Sequence, residues 1–312
     1  RIKMNKIKIF SPATVSNVAC GFDILGFSLE SLGDEMIVKK TKKKGLKITK
    51  IEGFNLPKNI QKNVAGVSAS AILKNIETNF GFEIEIYKKI KPGSGIGSSG
   101  ASSAGAVYAI NKLLGSPFNE IQLLNFAMKG EFLASNAEHA DNIAPAIFGG
   151  FTLVKNISPL NVISLPYPND LYCVIIHPQI EIKTSESRKI LPKNVSLENA
   201  TKQLTNLGGL IHGLHTNNYD LIKSSLKDEL IEIHRSKLIP LFKEVKENSI
   251  NSGAIGCSIS GSGPSIFSLC KGKKTAEKIE KSIINVYSNS GIDFSTYISK
   301  INKKGVYTIL ES

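Results

Sequence analysis

Gly95-Ile96-Gly97-Ser98-Ser99-Gly100 lies between a strand pattern and a helix pattern. Glycines at such a junction let the backbone approach a ligand closely. The unpaired N–H groups of a helix start, reinforced by the helix dipole, favour an anion such as a phosphate. The string fits G-x-G-x-x-G, the dinucleotide fingerprint. That fingerprint, however, needs an acidic ribose ligand at the end of the next strand, about 20 residues on. The acid at that distance, Glu120, falls in the first turn of a helix behind Pro117, which argues against a dinucleotide fold. No Lys follows the glycines, so this is not a Walker A loop. Neither H-R-D nor D-F-G occurs, so it is not a protein kinase. What remains is a phosphate cradle without a dinucleotide site.

The second chemical signal is a scarcity. Among 39 basic residues only Arg1, Arg188 and Arg235 are Arg. Arg grips a carboxylate or phosphate with two parallel hydrogen bonds, which Lys cannot reproduce. Arg188 and Arg235 are therefore candidates for such a grip, with surface ion pairs as the plainer use. The net charge of +13 suggests polyanionic partners, whether nucleic acid, an acidic membrane or phosphorylated small molecules. A Lys-rich coding background would produce the same number. Aromatics make up only 7%, Trp is absent and the Lys residues are dispersed rather than interleaved with aromatics, which speaks against nucleic acid.

Cys20, Cys173, Cys257 and Cys270 are too widely spaced for a zinc site or a disulfide framework, and this usage suits a reducing cytoplasm. No apolar run approaches the 18 or so residues of a membrane span, and the basic start lacks a signal-peptide core. Met4 reads as the natural start, with residues 1–3 an upstream scar. The expectation is a cytoplasmic protein that engages neither membrane nor nucleic acid.

The elements that must position these residues follow from periodicity. Strands are expected over 6–10, 35–40, 46–51 and 82–89, and a helix over 64–76. A Gly/Ser-rich stretch, 91–103, runs into a helix over 101–114 that Gly115 closes. Ser116-Pro117 opens another helix, Ser as cap and Pro in the first turn. A strand over 151–155 follows Gly149-Gly150. The Pro-rich stretch 159–168 is the expected domain boundary. Beyond it the pattern is strand 171–176, helices across 199–248, strands 256–260 and 265–269, helix 274–287 and strand 295–301. Read in order this is β–α–β–β–α–β, the split βαβ arrangement of ferredoxin-like domains with extra helices in its first crossover.

Pro92-Gly93-Ser94-Gly95-Ile96-Gly97-Ser98-Ser99-Gly100-Ala101 resembles the Pro-led G-L-G-S-S-A-A signature of the GHMP small-molecule kinases, with Ile96 in place of Leu and Gly100 in place of Ala. Three further stretches resemble the homoserine kinases within that group. These are Ser11 to Asp23 (SPATVSNVACGFD), Glu138 to Gly150 (EHADNIAPAIFGG) and Ser258 to Ser265 (SISGSGPS). The G-R-x-N-L-x-G-E-H string of galactokinases is absent. The resemblance covers essentially the whole chain and implies an α+β, two-domain fold. A ribosomal-protein-like αβ domain would occupy residues 1–160, and a ferredoxin-like split βαβ domain residues 161–312.

It also implies roles. The cofactor ATP would lie along the loop from Pro92 to Ser102, with Asn63 at the nucleoside. Mg²⁺ would sit on Glu131 and on Ser98 or Ser99. The implied substrate, L-homoserine, is a zwitterion with a hydroxyl. Arg188 and Arg235 would form a fork for its carboxylate, lying in T-S-E-S-R-K-I-L-P and H-R-S-K-L-I-P strings similar to the family's. Asp23 suits the ammonium, and Asn17, His139, Thr184, Asn142 and Gly261 suit polar orientation. Either Asp141 or Asn142 stands where relatives carry an Asp base, although phosphoryl transfer to an alcohol can rest on positioning and charge neutralisation alone. The oligomeric state stays open, a homodimer included.

Overall fold

The structure, a computed structural model, describes residues 4–135 and 139–312. Residues 1–3 and Glu138 of the quoted motif lie outside the described residues. In chain order the elements are β1 (Lys6–Ser16), β2 (Leu25–Thr41), β3 (Leu46–Glu52), α1 (Val64–Leu73), β4 (Gly81–Tyr87), α2 (Ser98–Leu113), α3 (Glu120–Ser135) and α4 (Ile143–Phe148). Then come β5 (Phe151–Ile157), β6 (Leu160–Leu165), β7 (Leu171–Pro178), α5 (Thr184–Lys189), α6 (Leu197–Thr216), α7 (Tyr219–Ser225), α8 (Glu232–Arg235) and α9 (Phe242–Asn251). The last are β8 (Gly256–Ile259), β9 (Ile266–Lys271), α10 (Lys273–Ser288), β10 (Phe294–Lys300) and β11 (Tyr307–Glu311).

Two sheets organise the molecule. The larger has seven strands, ordered β11-β1-β2-β4-β3, with β5 on the first part of β2 and β6 beyond β5. The smaller is antiparallel with order β10-β7-β9-β8. Numbered within that unit, its order is 4-1-3-2, which is what the split βαβ reading of the second half expects. β1 alternates between buried and half-buried residues up to Phe10 and is wholly buried from Ser11 onward. That switch marks where it passes from a sheet face into the seam between the sheets.

The core has three parts. Ile84, Ile86, Val107, Ile110 and Leu124 join the large sheet to α1–α3. Val15, Phe27, Phe151, Cys173 and Phe267 fill the seam shared by both sheets, with Phe27 stacked near Phe151 and edge-on to Phe267. Behind the small sheet, α10 presents Ala276, Ile279, Ile283 and Tyr287, an i, i+3, i+7, i+11 stripe.

Several boundaries differ from expectation. α2 begins at Ser98, three residues early, because Gly97 takes the left-handed φ of +71° and so ends the loop there. α3 begins at Glu120 rather than at Ser116-Pro117. Asn119 and Gln122 exchange hydrogen bonds of 3.0 Å each, a capping box that outcompetes the Ser, which sits at φ +62° in the preceding turn. α4, β6 and β11 were not expected. β6 completes a hairpin inside the Pro-bearing stretch, and β11 returns from the end of the chain to pair with β1. Sheet membership therefore does not follow the 160/161 division, because 161–165 and 307–311 both belong to the large sheet. Among the described residues no helix is long and apolar enough to cross a membrane.

Candidate active site

The Gly-rich loop and the 260–264 loop meet over a cavity of about 430 Å³. Their contact depends on Gly95, whose φ is +80°. A Cβ there would fall 2.5 Å from the Gly263 carbonyl oxygen and 2.7 Å from that of Ser260. Ser260 Oγ donates to the Gly95 carbonyl at 2.8 Å, and the Ser265 N–H donates to Ser94 O at 3.2 Å. The loop then turns at Gly97 into α2, whose first N–H groups carry no side-chain cap. A free helix start opening into a cavity is an anion receptor.

Pro92, Gly93, Ser94, Gly95, Gly97, Ser98, Ser99 and Ser102 line this cavity. Three residues expected at the nucleotide do not. Ile96 and Ala101 are buried in the seam core, and Gly100 backs onto Asn142. Asn63 is also absent from the lining. Its Oδ1 accepts from the Ala65 and Gly66 N–H groups at 3.0 and 3.4 Å while its Nδ2 donates to Pro57 O at 2.8 Å. That amide caps α1 and is not part of the cavity lining.

Beneath the loop lies an ion pair that the sequence did not suggest. Lys88, at the end of β4, is buried and donates to Asp34, to the Ser98 carbonyl at 2.9 Å and to Ser102 Oγ at 3.0 Å. Asp34 also receives the Lys89 and Ile90 N–H groups at 2.8 and 3.0 Å. Burial pulls the Lys88 amine below its ordinary range, and Asp34 opposes that pull. The pair ties the end of β4 to the first turns of α2.

Two carboxyls face the cavity from the helical side. Glu131 on α3 is buried and hydrogen-bonds Ser99; burial pushes its pKa above the usual carboxylate range against that bond. Asp141 is buried and pushed up to about 7, first by burial and then by the charges of Asp23 and Glu131, while a Ser16 hydrogen bond opposes the shift. Asp141 lines the same cavity as Asp23 and Glu131. Its neighbour Asn142 is fully engaged: Oδ1 accepts from Thr14 Oγ1 at 2.8 Å and Nδ2 donates to Ser16 Oγ at 2.9 Å. Thr14 and Ser16 share one side of β1 by strand alternation, so one strand end holds the whole 141–142 corner. A side-chain amide does not ionise in the physiological range, so of the two residues only Asp141 can titrate.

The same cavity is lined by the two rare Arg residues. Arg188 Nη1 and Nη2 donate to the Asp23 carboxylate at 3.0 and 2.8 Å. Arg235 is buried and donates to the Gly261 carbonyl at 2.9 Å and to the Ser187 carbonyl at 3.4 Å. Burial, with the Arg188 charge adding, brings its guanidinium down to about 10. Phe22 lies between the two, its centroid 5.3 Å from one guanidinium carbon and 5.2 Å from the other. Asn17 Oδ1 accepts the Asp23 N–H at 3.0 Å, and its Nδ2 donates to Gly261 O at 2.8 Å. Asn17, Val18 and Ala19 all have positive φ (68°, 41° and 57°), and Asp23 has 62°. Such backbone is costly for side-chain-bearing residues and collects at ligand sites. His139 Nδ1 stands 3.8 Å from Asp23, and burial keeps its imidazole below the usual range. Thr184 opens α5 with its hydroxyl 3.4 Å from that of Ser262.

The expected residues Asn17, Asp23, Glu131, His139, Asp141, Asn142, Thr184, Arg188, Arg235 and Gly261 thus line one cavity. Sequence reading missed Thr14, Ser16, Phe22, Asp34 and Lys88. The first three lie inside the SPATVSNVACGFD string and were there to be found; nothing local marks the other two.

Known proteins resemble this chain over nearly its whole length. The model of the GHMP kinase N-terminal domain matches residues 59–150, and that of the GHMP kinase C-terminal domain residues 207–289. A homoserine kinase of Chlorobium phaeobacteroides (strain BS1) is 41% identical over 98% of this chain and 100% of its own length. That of Pyrococcus furiosus is 35% identical over 95% and 98%. A crystal structure of homoserine kinase from Cytophaga hutchinsonii superposes with TM-score 0.95 at 46% identity, covering 99% of both chains. An L. major mevalonate kinase solved with R-mevalonate, 13% identical at TM-score 0.72 over 94% and 96%, shares the fold alone.

Proposed function

We propose a division of labour across this cavity for a chain that belongs to the homoserine kinase family of the GHMP kinases and so transfers the γ-phosphoryl group of ATP to the hydroxyl of homoserine. Its α+β fold is the two-domain GHMP kinase fold. The observation that carries the assignment is one cavity lined by two unlike receptors. One is an uncapped helix start behind a Gly-rich loop, and the other is an Asp with two Arg residues near Phe22. A polyphosphate suits the first and an amino-acid zwitterion the second.

At the phosphate end Ser94, Gly95, Gly97 and the first N–H groups of α2 receive the phosphate oxygens, with Lys88 fixing the backbone that presents them. The donor set also fits Mg²⁺. Glu131 offers one buried carboxylate beside the Ser99 hydroxyl, and among the described residues no group of three or more His, Cys, Asp or Glu forms a closed metal cage. Mg²⁺ prefers one or two carboxylates completed by water and phosphate oxygens. Ser98 is the alternative ligand: its hydroxyl donates to Ile90 O at 2.9 Å, which leaves the oxygen lone pairs available. When bound, the ion neutralises phosphate charge.

At the substrate end Arg188 and Arg235 take the carboxylate, Asp23 the ammonium, and Asn17, His139 and Thr184 help orient the chain. Asp141 faces the hydroxyl as proton acceptor, and Asn142 holds the corner. A coupled ADP-release assay offering homoserine, serine, mevalonate and galactose tests the reading. Turnover confined to homoserine is expected; comparable turnover of mevalonate or galactose would overturn the Arg–Asp assignment.

A further inference from the structure

Asp23 and Arg188 form a two-pronged ion pair, at 3.0 and 2.8 Å, within the end of the cavity assigned to the amino-acid substrate. Under that assignment, on which this inference rests, the ligand wants each of them separately: Asp23 for its ammonium, Arg188 for its carboxylate. In the free protein the two receptors satisfy one another. Arg235 does not share in this. It is 2% exposed, and among the described residues no carboxylate stands within ion-pair distance of it. Its hydrogen-bond partners are carbonyl oxygens, of Gly261 and Ser187. The site thus holds two guanidiniums against one phenyl ring and a single carboxylate directly paired with them.

The partners of the pair also differ in mobility. Asp23 is held by its own N–H on Asn17, which is itself tied to Gly261, within a run of left-handed backbone. Arg188 stands on the six-residue helix α5, its side chain is 38% exposed, and its buried Nε has no hydrogen-bond partner. Arg188 is the arm that can swing; Asp23 is the post.

We propose that the Asp23–Arg188 pair is an exchange latch that admits zwitterions and turns away ligands carrying only one of the two charges. An incoming ammonium takes Asp23 and releases Arg188. The released guanidinium joins Arg235 on the incoming carboxylate. One ion pair opens and two form, so no charge is left alone. A carboxylate without an ammonium can draw Arg188 away only by stranding Asp23, and an ammonium without a carboxylate strands Arg188 beside Arg235. Asp23 and Arg188 are half-buried, and an unpaired Arg188 would stand beside the buried Arg235 cation, so leaving either partner alone is unfavourable and acts here as selection against wrong ligands.

The test uses homoserine and its two half-charged forms, 4-hydroxybutanoate and 3-aminopropan-1-ol, on the full enzyme and on Asp23→Asn. The substitution keeps the shape and removes the charge, which frees Arg188. Homoserine should bind the variant more weakly. 4-Hydroxybutanoate, measured as an inhibitor or substrate, should bind the variant about ten-fold more tightly than the unaltered enzyme, equivalent to about 1.4 kcal/mol. Unchanged or weaker binding of 4-hydroxybutanoate by the variant overturns the latch. Homoserine turnover by the unaltered enzyme reports on the site assignment by itself, so the two ideas fail separately; its absence would overturn both. Should Asp23→Asn not fold, the unaltered enzyme labelled with [15N]arginine answers the same question, because only three Arg residues contribute signals. Homoserine should move the Arg188 side-chain resonances and the two half-charged ligands should not. Equal movement with 4-hydroxybutanoate overturns the proposal.

Discussion

Replacing Asp141 by Asn probes the site and the fold in one experiment. Asp141 is 3% exposed, and its carboxyl is pushed from the ordinary 3.8 up to about 7 by burial, with the charges of Asp23 and Glu131 adding. The unfolded chain gives up that proton near pH 4, whereas the folded protein keeps it until about pH 7. Between these limits the folded state binds one more proton. The stability associated with Asp141 is therefore complete below pH 4 and lost as the pH rises to 7. Each pH unit costs about 1.4 kcal/mol, and the loss by pH 7 is on the order of 4 kcal/mol. An Asn of the same shape never ionises and can keep the Ser16 contact as an acceptor. Urea unfolding of both proteins across pH 4–8 should give a stability difference, variant minus parent, that grows with pH to about 7 and stays level beyond it. A difference that is flat across this window would refute the burial-driven shift.

The kinetic arm of the same experiment separates two roles. If Asp141 takes the hydroxyl proton, kcat of the unaltered enzyme rises through about pH 7 as the carboxylate forms. Asp141→Asn should then lower kcat by about 10²–10⁴-fold, the usual worth of a positioned base, with KM for ATP little changed. A variant that gains stability but keeps kcat would remove Asp141 from proton transfer and leave the site to work by positioning alone.

Arg235→Leu removes a buried cation assigned to the substrate carboxylate, so KM for homoserine should rise by about 30-fold or more, matching the 2–5 kcal/mol typical of a buried charged partner. Equal rises in KM for homoserine and for ATP would count against the fork. Gly97→Ala places a Cβ 2.0 Å from Thr14 Oγ1 at φ +71°, which should break the Thr14–Asn142 bond. A loss of about 1–3 kcal/mol of stability together with a weaker apparent affinity for ATP is expected, and an unchanged Tm and KM would contradict it. Lys88→Met leaves the Asp34 carboxylate buried without its cation, at a cost of about 3–5 kcal/mol. Adding Asp34→Asn, which keeps an acceptor for the Lys89 and Ile90 N–H groups, should recover much of that loss in urea unfolding.

How far the site could be read in advance depended on whether its parts were local. The loop from Gly95 to Ser99 was legible because a left-handed turn that opens a helix demands glycine at fixed places. The small sheet was legible because its strands and helices alternate with clear periods. Asn63 was harder to read: a polar residue beside a cavity and a helix cap have the same appearance in sequence, and the bonds to Ala65, Gly66 and Pro57 that make it a cap appear only in the structure. Lys88 and Asp34 are 54 positions apart and meet because β2 and β4 are paired from Glu35–Tyr87 to Thr41–Gly81. No local pattern encodes that register. β11 escaped notice similarly, since five residues near the end of the chain acquire strand structure only from the free edge of β1.

The excess of Lys and the scarcity of Arg have one explanation in the structure. Many Lys charges lie on the surface in pairs such as Lys202–Glu198 and Lys273–Glu277, where solvent screening makes an ion pair worth little and Lys serves as well as Arg. A background drift toward Lys is nearly free at such positions. At 188 and 235 it is not. The Asp23 carboxylate is met by two N–H groups of one planar fork, and the Arg235 fork spans the Gly261 and Ser187 carbonyls with separate nitrogens. An ammonium can neutralise Asp23 but cannot offer both prongs in one plane, nor lie flat near Phe22. The two internal Arg residues therefore survive where geometry, and not charge, is the requirement. The net charge of +13 says little about partners, while the placement of two of its members is what the proposed carboxylate fork rests on.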